Sequence, residues 1–446
     1  MPRLLSFAGQ TKRLPFAVLA LAVFLSQHLA VALAAGLSGR WPALNWEFAL
    51  MPLRWLLRGA DKSPAAAICI VVAWCLLAAW ALAALAFRRS TDARVTEWTV
   101  PFAITPVIQI PVILFLCVVW ARPGAAADPA ESEQRGRANL AYGAQGVIAG
   151  TVLTAAAVAL GALVFGSYGY GIFVLAPFLV GLVAAYLANR GGDIGGERTF
   201  TIVMLALLFG GLALLVVALE GVVCIVLAAP LAAGIAIPGG LLGRTIALRQ
   251  AAPKQALSVV LLLPLAFAFE SLAPPSLGFE SEQSIEIDAG PDVVWREIVT
   301  MTPIDERPAL PGRLGMAYPI SAEIAGGGVG AVRRGTFSTG IARERVTAWE
   351  PGRRLAFVVE TDVPAMRELS PYENVHAPHV AGYFRTLETR FELLAVSPGQ
   401  TRLTVHASHE LRLDPVAYWL PMARLAVAQN AGRVLRHVRR RAEARD

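Results

Sequence analysis

Two titratable side chains in the C-terminal part of the chain fall on the apolar faces of alternating segments. The alternation in 340–349 points Glu344 to the apolar side, and the alternation in 401–412 does the same for His409. Because successive strand residues point to opposite faces, both groups are expected to face an apolar interior. There they can act as general acid and base, or orient a polar head group. The alternative is a buried structural pair in which each group satisfies the other.

The same alternation predicts the wall of a ligand-binding cavity around Glu344 and His409. Apolar side chains are expected to point inward from the strands predicted at 340–349, 353–361 and 385–396, and from the C-terminal helix. The predicted wall residues are Val346, Leu355, Phe357, Val359, Leu387, Phe391 and Trp419.

Two His-x-x-His spacings raise the possibility of a metal site. His406 and His409 lie on a predicted strand, where residues three apart face opposite sides, so they cannot share one ion. His376 and His379 lie in a predicted loop and can converge, but no Cys or carboxylate stands at a supporting spacing. We therefore predict no metal and no cofactor.

The loop that contains the second histidine pair has two interpretations. It is either a lid over the mouth of the cavity or an ordinary surface loop. The residues that would form the lid are Tyr372, His376, His379 and Tyr383.

The elements that position these residues follow from a division in composition. The chain has 446 residues, of which 56% are hydrophobic and 16% charged. Residues 1–275 hold 18 Lys and Arg against 11 Asp and Glu, which accounts for the whole net charge of +7. The C-terminal remainder is neutral and contains no cysteine. Nucleic-acid binding, extended disorder and a single soluble enzyme domain are therefore not expected.

Eight apolar stretches predict a polytopic membrane domain over 1–273 with about seven or eight spans. The third contains Pro101 and is expected to be broken, and the eighth is short. The Lys and Arg bias of the loops conflicts between the two halves of this domain, so the side that the C-terminal domain faces stays open. The eight stretches are 14–35, 64–87, 98–121, 145–166, 168–188, 199–219, 221–242 and 256–273.

The rest of the chain predicts an α+β domain over 282–446 after a linker at 274–281. A strand at 284–288 and a short helix at 290–299 precede five alternating segments, and a long helix at 414–442 closes the chain. The alternating segments are 329–338, 340–349, 353–361, 385–396 and 401–412.

This order of elements, with three local patterns, resembles the START-like (SRPBCC) superfamily, which includes polyketide cyclase/dehydrase-like proteins. The patterns are Ile285-x-Ile-x-Ala289-x-Pro291-x-x-Val294-Trp295, Gly328-x-Gly330-x-x-Arg333, and Val346-x-x-Trp349-Glu-Pro351-Gly-x-x-Leu355-x-Phe357. The resemblance implies a helix-grip fold, in which an antiparallel sheet curls around a long C-terminal helix and leaves a cavity for a lipid or another hydrophobic molecule.

The first 120 residues or so resemble a small bacterial inner-membrane family of unknown function. The resemblance rests on the segment from Ser6 to Arg13 and on Arg88-Arg89-Ser-Thr-Asp92. It implies a cytoplasmic N-terminus and a multi-pass protein of the bacterial inner membrane, and it favours a cytoplasmic C-terminal domain.

Three functions follow as hypotheses. The first is a membrane-anchored domain that binds a hydrophobic small molecule or lipid, with the bilayer and that ligand as partners and no nucleic acid. The second is a cyclase, dehydratase or hydrolase that acts on a membrane-soluble substrate through Glu344 and His409. The third is a transporter or assembly protein with a regulatory soluble domain, which would depend on polar groups within the spans such as His28 or Glu220.

Overall fold

The computed structural model divides the chain into a helical unit that ends at Leu272 and an α+β unit that follows it. The residues it describes are 5–7, 9–37, 39, 41–42, 46–57, 65–93, 95, 99–104, 109–119, 131–249, 259–272, 274–369 and 381–445.

The described part of the helical unit contains eleven α-helices, which we number α1 to α11. They are α1 (Arg13–Gly36), α2 (Trp46–Leu50), α3 (Pro52–Leu57), α4 (Ala65–Ala93), α5 (Thr99–Phe102), α6 (Gln109–Val118), α7 (Glu131–Ala159), α8 (Ala176–Asn189), α9 (Gly196–Val216), α10 (Val222–Leu248) and α11 (Leu262–Leu272). A π-helical turn, Leu160–Phe165, extends α7, and a second, Gly171–Leu175, leads into α8.

Six helical segments in the described part of the chain are long and apolar enough to cross a membrane, two of them taken together with the π-helical turns next to α7 and α8, which makes the unit compatible with a multi-pass membrane protein. They correspond to six of the eight predicted stretches. The third stretch contains the short helices α5 and α6, and the eighth contains α11, which has only 11 residues. Proline cannot donate a backbone hydrogen bond within a helix, which accounts for the interruption of the third stretch.

Helices α8 and α10 pack with their backbones in close approach. A Cβ atom at Gly181 would lie 2.0 Å from the carbonyl oxygen of Ala236, and one at Gly239 would lie 2.0 Å from that of Phe178. Any larger residue at these two positions would therefore push the helices apart, as is typical of membrane helix pairs with small residues at the contact.

The polar residues that the transport hypothesis singled out are bonded within the helical unit. The imidazole of His28 lies 3.1 Å from the carbonyl oxygen of Phe24 and 3.0 Å from that of Ala49. Glu220 accepts a hydrogen bond of 2.8 Å from the hydroxyl of Tyr168. Both residues therefore have a role in packing that requires no transported ion.

The contacts of Arg89 give the segment Arg88-Arg89-Ser-Thr-Asp92 a structural role. The guanidinium of Arg89 is buried, forms an ion pair with Asp92, and donates to the carbonyl oxygens of Leu116 and Val119 at the end of α6. These carbonyls have no partner inside their own helix, so Arg89 caps α6 from α4.

The described part of the α+β unit contains one antiparallel sheet of seven strands and three helices. The spatial order of the strands is β1-β7-β6-β5-β4-β3-β2, so β1 and β2 form the two edges. The strands are β1 (Leu277–Ile287), β2 (Pro319–Ala325), β3 (Val332–Phe337), β4 (Gly340–Glu350), β5 (Arg354–Thr361), β6 (Phe384–Ser397) and β7 (Gln400–Leu411), and the helices are α12 (Pro291–Val299), α13 (Leu310–Arg313) and α14 (Val416–Glu443).

Strand β2 was not predicted from the sequence. It begins at Pro319, directly after a proline-rich loop, and pairs with β3 on one side, while on the other side Ala322 exchanges two backbone hydrogen bonds of 3.0 Å with Met301. An edge strand tolerates proline because the missing N–H faces away from the ladder. Pro319 is therefore compatible with the edge of the sheet.

The core of this unit lies between the inner face of the sheet and the second half of α14. Leu435 and Val438 of that helix pack with Leu355, Phe391 and other inward residues, and Trp295 of α12 closes one side. Burial of such side chains stabilises the fold by about 1.5–3 kcal/mol each.

The path of α14 across the sheet defines the fold. Its backbone comes close to β1, to the adjacent β7 and to β2, so it reaches both edges of the sheet. A helix can contact both edges of a seven-stranded sheet only if the sheet curls around it. This is the START-like helix-grip arrangement predicted from the sequence.

Candidate ligand-binding site on the inner face of the sheet

Most of the predicted wall residues are shielded from solvent. Val346, Leu355, Phe357 and Phe391 are buried and belong to one apolar cluster. The other shielded wall residues are Val359, which is half-buried opposite Glu344, and Trp419, which is buried in the first turn of α14. That these residues bind a ligand stays a prediction.

The prediction that Leu387 faces inward is wrong. Its side chain is 42% exposed, and it lies at a β-bulge, where the pairing of β6 with β7 moves from Thr386 opposite His409 to Glu388 opposite Ser408. The extra residue reverses the alternation at this point. Strict alternation between 387 and 391 therefore does not hold.

Glu344 forms an ion pair with Arg333, on the neighbouring strand. The two residues are directly opposite in the β3–β4 register, and Nη1 of Arg333 donates to Oε2 of Glu344. Both are buried, with 5% and 4% of their surfaces exposed. The guanidinium carbon also lies 4.2 Å from the centroid of the Phe357 ring, a favourable cation–π arrangement.

Burial dominates the electrostatics of this carboxyl group. It raises the pKa of Glu344 above its usual value, while the charge and the hydrogen bond of Arg333 act in the opposite direction. An unpaired carboxylate would be far more costly at this position, so Arg333 is what allows Glu344 to be charged there.

His409 has a separate set of partners. Its Nε2 lies 3.0 Å from the hydroxyl oxygen of Ser281 and its Nδ1 lies 3.3 Å from that of Thr386. Phe279 and Phe384 both contact the ring, with centroid distances of 5.0 and 5.5 Å, and lie 6.4 Å from each other. Burial lowers the pKa of His409 to about 4, so the ring is neutral at neutral pH.

The two titratable groups are therefore not partners of each other. Glu344 is on β4 and His409 on β7, and β5 and β6 lie between them. Three strand spacings separate them by about 14 Å along the sheet. The interpretation as a mutually satisfied pair is wrong, because strand order rather than shared face decides which side chains meet.

His406, the other histidine of β7, faces away from the inner face of the sheet. His406 lies 3.6 Å from Glu282 and 3.5 Å from Glu392, away from the inward His409. Among the described residues no cluster of metal-ligating side chains occurs. Tyr383 is half-buried at the start of β6, and the rest of the predicted lid, Tyr372, His376 and His379, lies outside the described residues.

Sequence reasoning missed a pocket between α14 and the loop that precedes β2. Arg433, which is buried, holds this loop by donating to the carbonyl oxygens of Ile304, Glu306 and Pro319. In the sequence, only the presence of Arg433 within the C-terminal helix pointed to this contact. The pocket is lined by loop residues such as Pro308, Met316 and Tyr318 and by helix residues such as Ala426, Gln429 and Asn430.

Glu306 fixes the same loop from outside. Its carboxylate bonds to Arg436 at 2.8 Å and to Arg440 at 2.9 Å, and the hydrogen bond from Arg436 contributes most to lowering the pKa of Glu306 to about 2. The loop over α14 is thus held at neutral pH by an ionised carboxylate.

Solved structures similar to this chain align with its C-terminal part. The ZhuI aromatase/cyclase from a Streptomyces species is 16% identical, over 38% of this chain and 96% of its own, with a TM-score of 0.26. A truncated norcoclaurine synthase from Thalictrum flavum is 12% identical, over 36% and 94%, with a TM-score of 0.23. A protein from Arthrobacter aurescens is 17% identical, over 37% and 86%, with a TM-score of 0.23.

Comparisons of sequence alone gave no match. No protein-family profile and no curated protein is significantly similar to the chain. What can be said of the site therefore comes from its own geometry.

Proposed function

We propose that the α+β unit binds a hydrophobic small molecule or lipid between the inner face of the sheet and α14, and that the helical unit anchors it in a bacterial inner membrane. The observation that carries the proposal is the path of α14, which reaches both sheet edges above an apolar inner face. Such a concave apolar surface with few polar groups is typical of small-molecule sites.

The distribution of packing supports a site at one end of the sheet. The second half of α14 supplies Leu435, Val438 and Ala442 to the apolar core. Glu344 and His409 lie on the inner face beyond that cluster. A ligand is expected at this end, where the wall carries polar groups, and not where the core is closed.

The state of His409 supports binding over acid–base catalysis. A histidine whose pKa is about 4 is neither protonated nor a strong base at neutral pH. Its two ring nitrogens are already near hydroxyl groups, and it lies about three strand spacings from Glu344. These groups therefore lack the proximity that a cooperating acid and base require.

The test compares ligand retained by the full-length protein with that retained by two tryptophan variants. Protein purified in mild detergent is examined by native mass spectrometry, and any small molecule is identified after denaturation. Val359→Trp fills the inner face opposite Glu344, whereas Leu387→Trp adds the same bulk at an exposed position nearby.

We expect a reproducible bound mass in the wild type and in Leu387→Trp, and its loss in Val359→Trp. Because lipids held by the helical unit are retained in all three proteins, a difference in bound mass between the two variants reports on the site at the sheet. Equal retention in both variants, or no bound mass in a folded wild type, would contradict the proposal.

A further inference from the structure

The ion pair on the inner face leaves part of Arg333 without a partner. The guanidinium has five N–H donors, and Nη1 donates to Glu344. Nε is buried and has no acceptor among the residues that the structure describes. A buried donor without an acceptor is costly, and native proteins seldom leave one unless a ligand or water fills the place.

The unused edge of this side chain has a specific shape. In a guanidinium the N–H of Nε and one N–H of Nη2 are parallel and form a fork that matches the two oxygens of a carboxyl group. Since Glu344 is bonded through Nη1, this fork is not the edge that Glu344 uses. The Phe357 ring lies against the guanidinium at 4.2 Å and helps to fix its orientation.

The neighbouring position on β3 keeps side-chain atoms away from the ion pair. A Cβ atom at Gly335 would lie 3.2 Å from Oε1 of Glu344 and 3.5 Å from Nη1 of Arg333. The first of these distances is tighter than most Cβ contacts. Glycine at this position therefore leaves the pair less crowded than any other residue would.

We propose that the Nε–Nη2 edge of Arg333 holds the carboxyl group of the bound molecule, so that the ligand is a long-chain acid whose apolar tail lies on the inner face of the sheet. This inference rests on the proposed function, because it assigns the polar end of that same ligand. His409 does not compete for this role, since it lies on β7, beyond β5 and β6, and both of its ring nitrogens are already near hydroxyl groups.

The charges of Arg333 and Glu344 determine whether each variant strengthens or weakens binding of the acid. With the acid bound, one guanidinium faces two carboxyl groups, so the carboxylate of Glu344 repels the ligand. Glu344→Gln keeps an oxygen that accepts from Nη1 and removes this repulsion, and we expect it to strengthen binding of the acid about fivefold. Arg333→Met removes the fork and is expected to weaken binding of the acid by at least about tenfold.

The experiment uses two photoreactive probes with the full-length protein in detergent. One is hexadecanoic acid with a diazirine in the middle of its chain, and the other is the methyl ester of the same molecule. After irradiation and proteolysis, mass spectrometry measures how much of each probe is attached to β3, β4 and β5, which carry Arg333, Glu344 and Phe357.

Support for the inference requires three results on these strands. The wild type is labelled more by the acid than by the ester, Glu344→Gln increases that preference, and Arg333→Met abolishes it. Because Arg333→Met leaves Glu344 buried without its partner, Arg333→Met/Glu344→Leu serves as the variant that removes both charges. It is also expected to show no preference.

The outcomes separate this inference from the function on which it rests. Equal labelling of these strands by acid and ester in the wild type, or a preference that survives in the double variant, would refute the role of Arg333 and leave a binding cavity in place. Failure of both probes to label these strands would reject the proposed function together with the inference.

Discussion

Replacing Arg333 by methionine is expected to destabilise the α+β unit by about 3–5 kcal/mol, because removal of one partner leaves a buried charge without compensation. The structure gives the reason for this magnitude. Arg333 and Glu344 are only 5% and 4% exposed, so water cannot replace the lost guanidinium. The contact between the guanidinium and the Phe357 ring, at 4.2 Å, is lost as well and contributes about 1 kcal/mol.

Removing both charges is expected to restore most of this loss. In Arg333→Met/Glu344→Leu no ion remains to be desolvated, and replacing a buried ion pair by apolar residues is often neutral or stabilising. We therefore expect the double variant to lie within about 1 kcal/mol of the wild type.

The assay is a denaturant titration of the full-length protein, followed by pulse proteolysis with detection of fragments from the sheet. Hydrogen exchange of the β3 and β4 amides provides a local check. A cost below about 1 kcal/mol for Arg333→Met, or a double variant no more stable than the single one, would refute the reasoning, since the pair would then behave like an exposed salt bridge.

Three further predictions concern His409, Glu306 and Arg89. The folded state keeps the pKa of His409 near 4, below the 6.5 of an ordinary histidine, so the unfolded chain binds the extra proton. The free energy of unfolding should therefore have its full value above pH 6.5 and fall by up to about 3 kcal/mol as the pH is lowered to 4. His409→Gln should flatten that part of the pH profile, and an unchanged profile would contradict the burial argument. Glu306→Gln should cost about 1 kcal/mol and speed hydrogen exchange of the loop before β2 at neutral pH; unchanged exchange there would contradict its anchoring role. Arg89→Met should expose α6 to proteolysis, because it removes the hydrogen bonds to the end of that helix. Arg88→Met is the matched control, since the guanidinium of Arg88 donates to Ala84 within its own helix. Equal cleavage of the two variants would argue against the cap.

Alternation was enough to predict the inner face wherever a strand is regular. It correctly grouped Leu355 with Phe357, and it turned Glu344 and His409 inward. It failed at Leu387 because a bulge inserts one residue without any change in the hydrophobic pattern. A pattern of period two carries no information about where such an insertion occurs.

The pairing of Arg333 with Glu344 was within reach of the sequence. The turn at Ser338–Thr339 joins the segments predicted at 329–338 and 340–349, and a two-residue hairpin loop fixes the register of its strands. Counting outward from that turn puts 333 opposite 344. A pairing of Glu344 with His409, in contrast, depends on the order of four strands, which alternation does not give.

The loop before β2 could not have been predicted in the same way. It has no periodicity, and its position depends on Arg433, one of six arginines in an amphipathic helix. An arginine at such a position normally indicates the solvent-exposed face. Only the meeting of three carbonyl oxygens around it reveals that the residue is buried.

The three polar groups of the inner face differ in whether they leave a hydrogen-bonding atom for a ligand. His409 has hydroxyl neighbours at both ring nitrogens and contacts two aromatic rings. Glu344 is bonded to Arg333, which compensates its charge. Of these three groups, Arg333 is the one that retains a buried donor, Nε, with no acceptor among the described residues. A neutral hydrocarbon would leave that donor unsatisfied, whereas a molecule with a terminal carboxyl group would satisfy it and still bury its tail. This difference is why the acid and its ester, identical in chain length, distinguish specific recognition from simple partition into an apolar space.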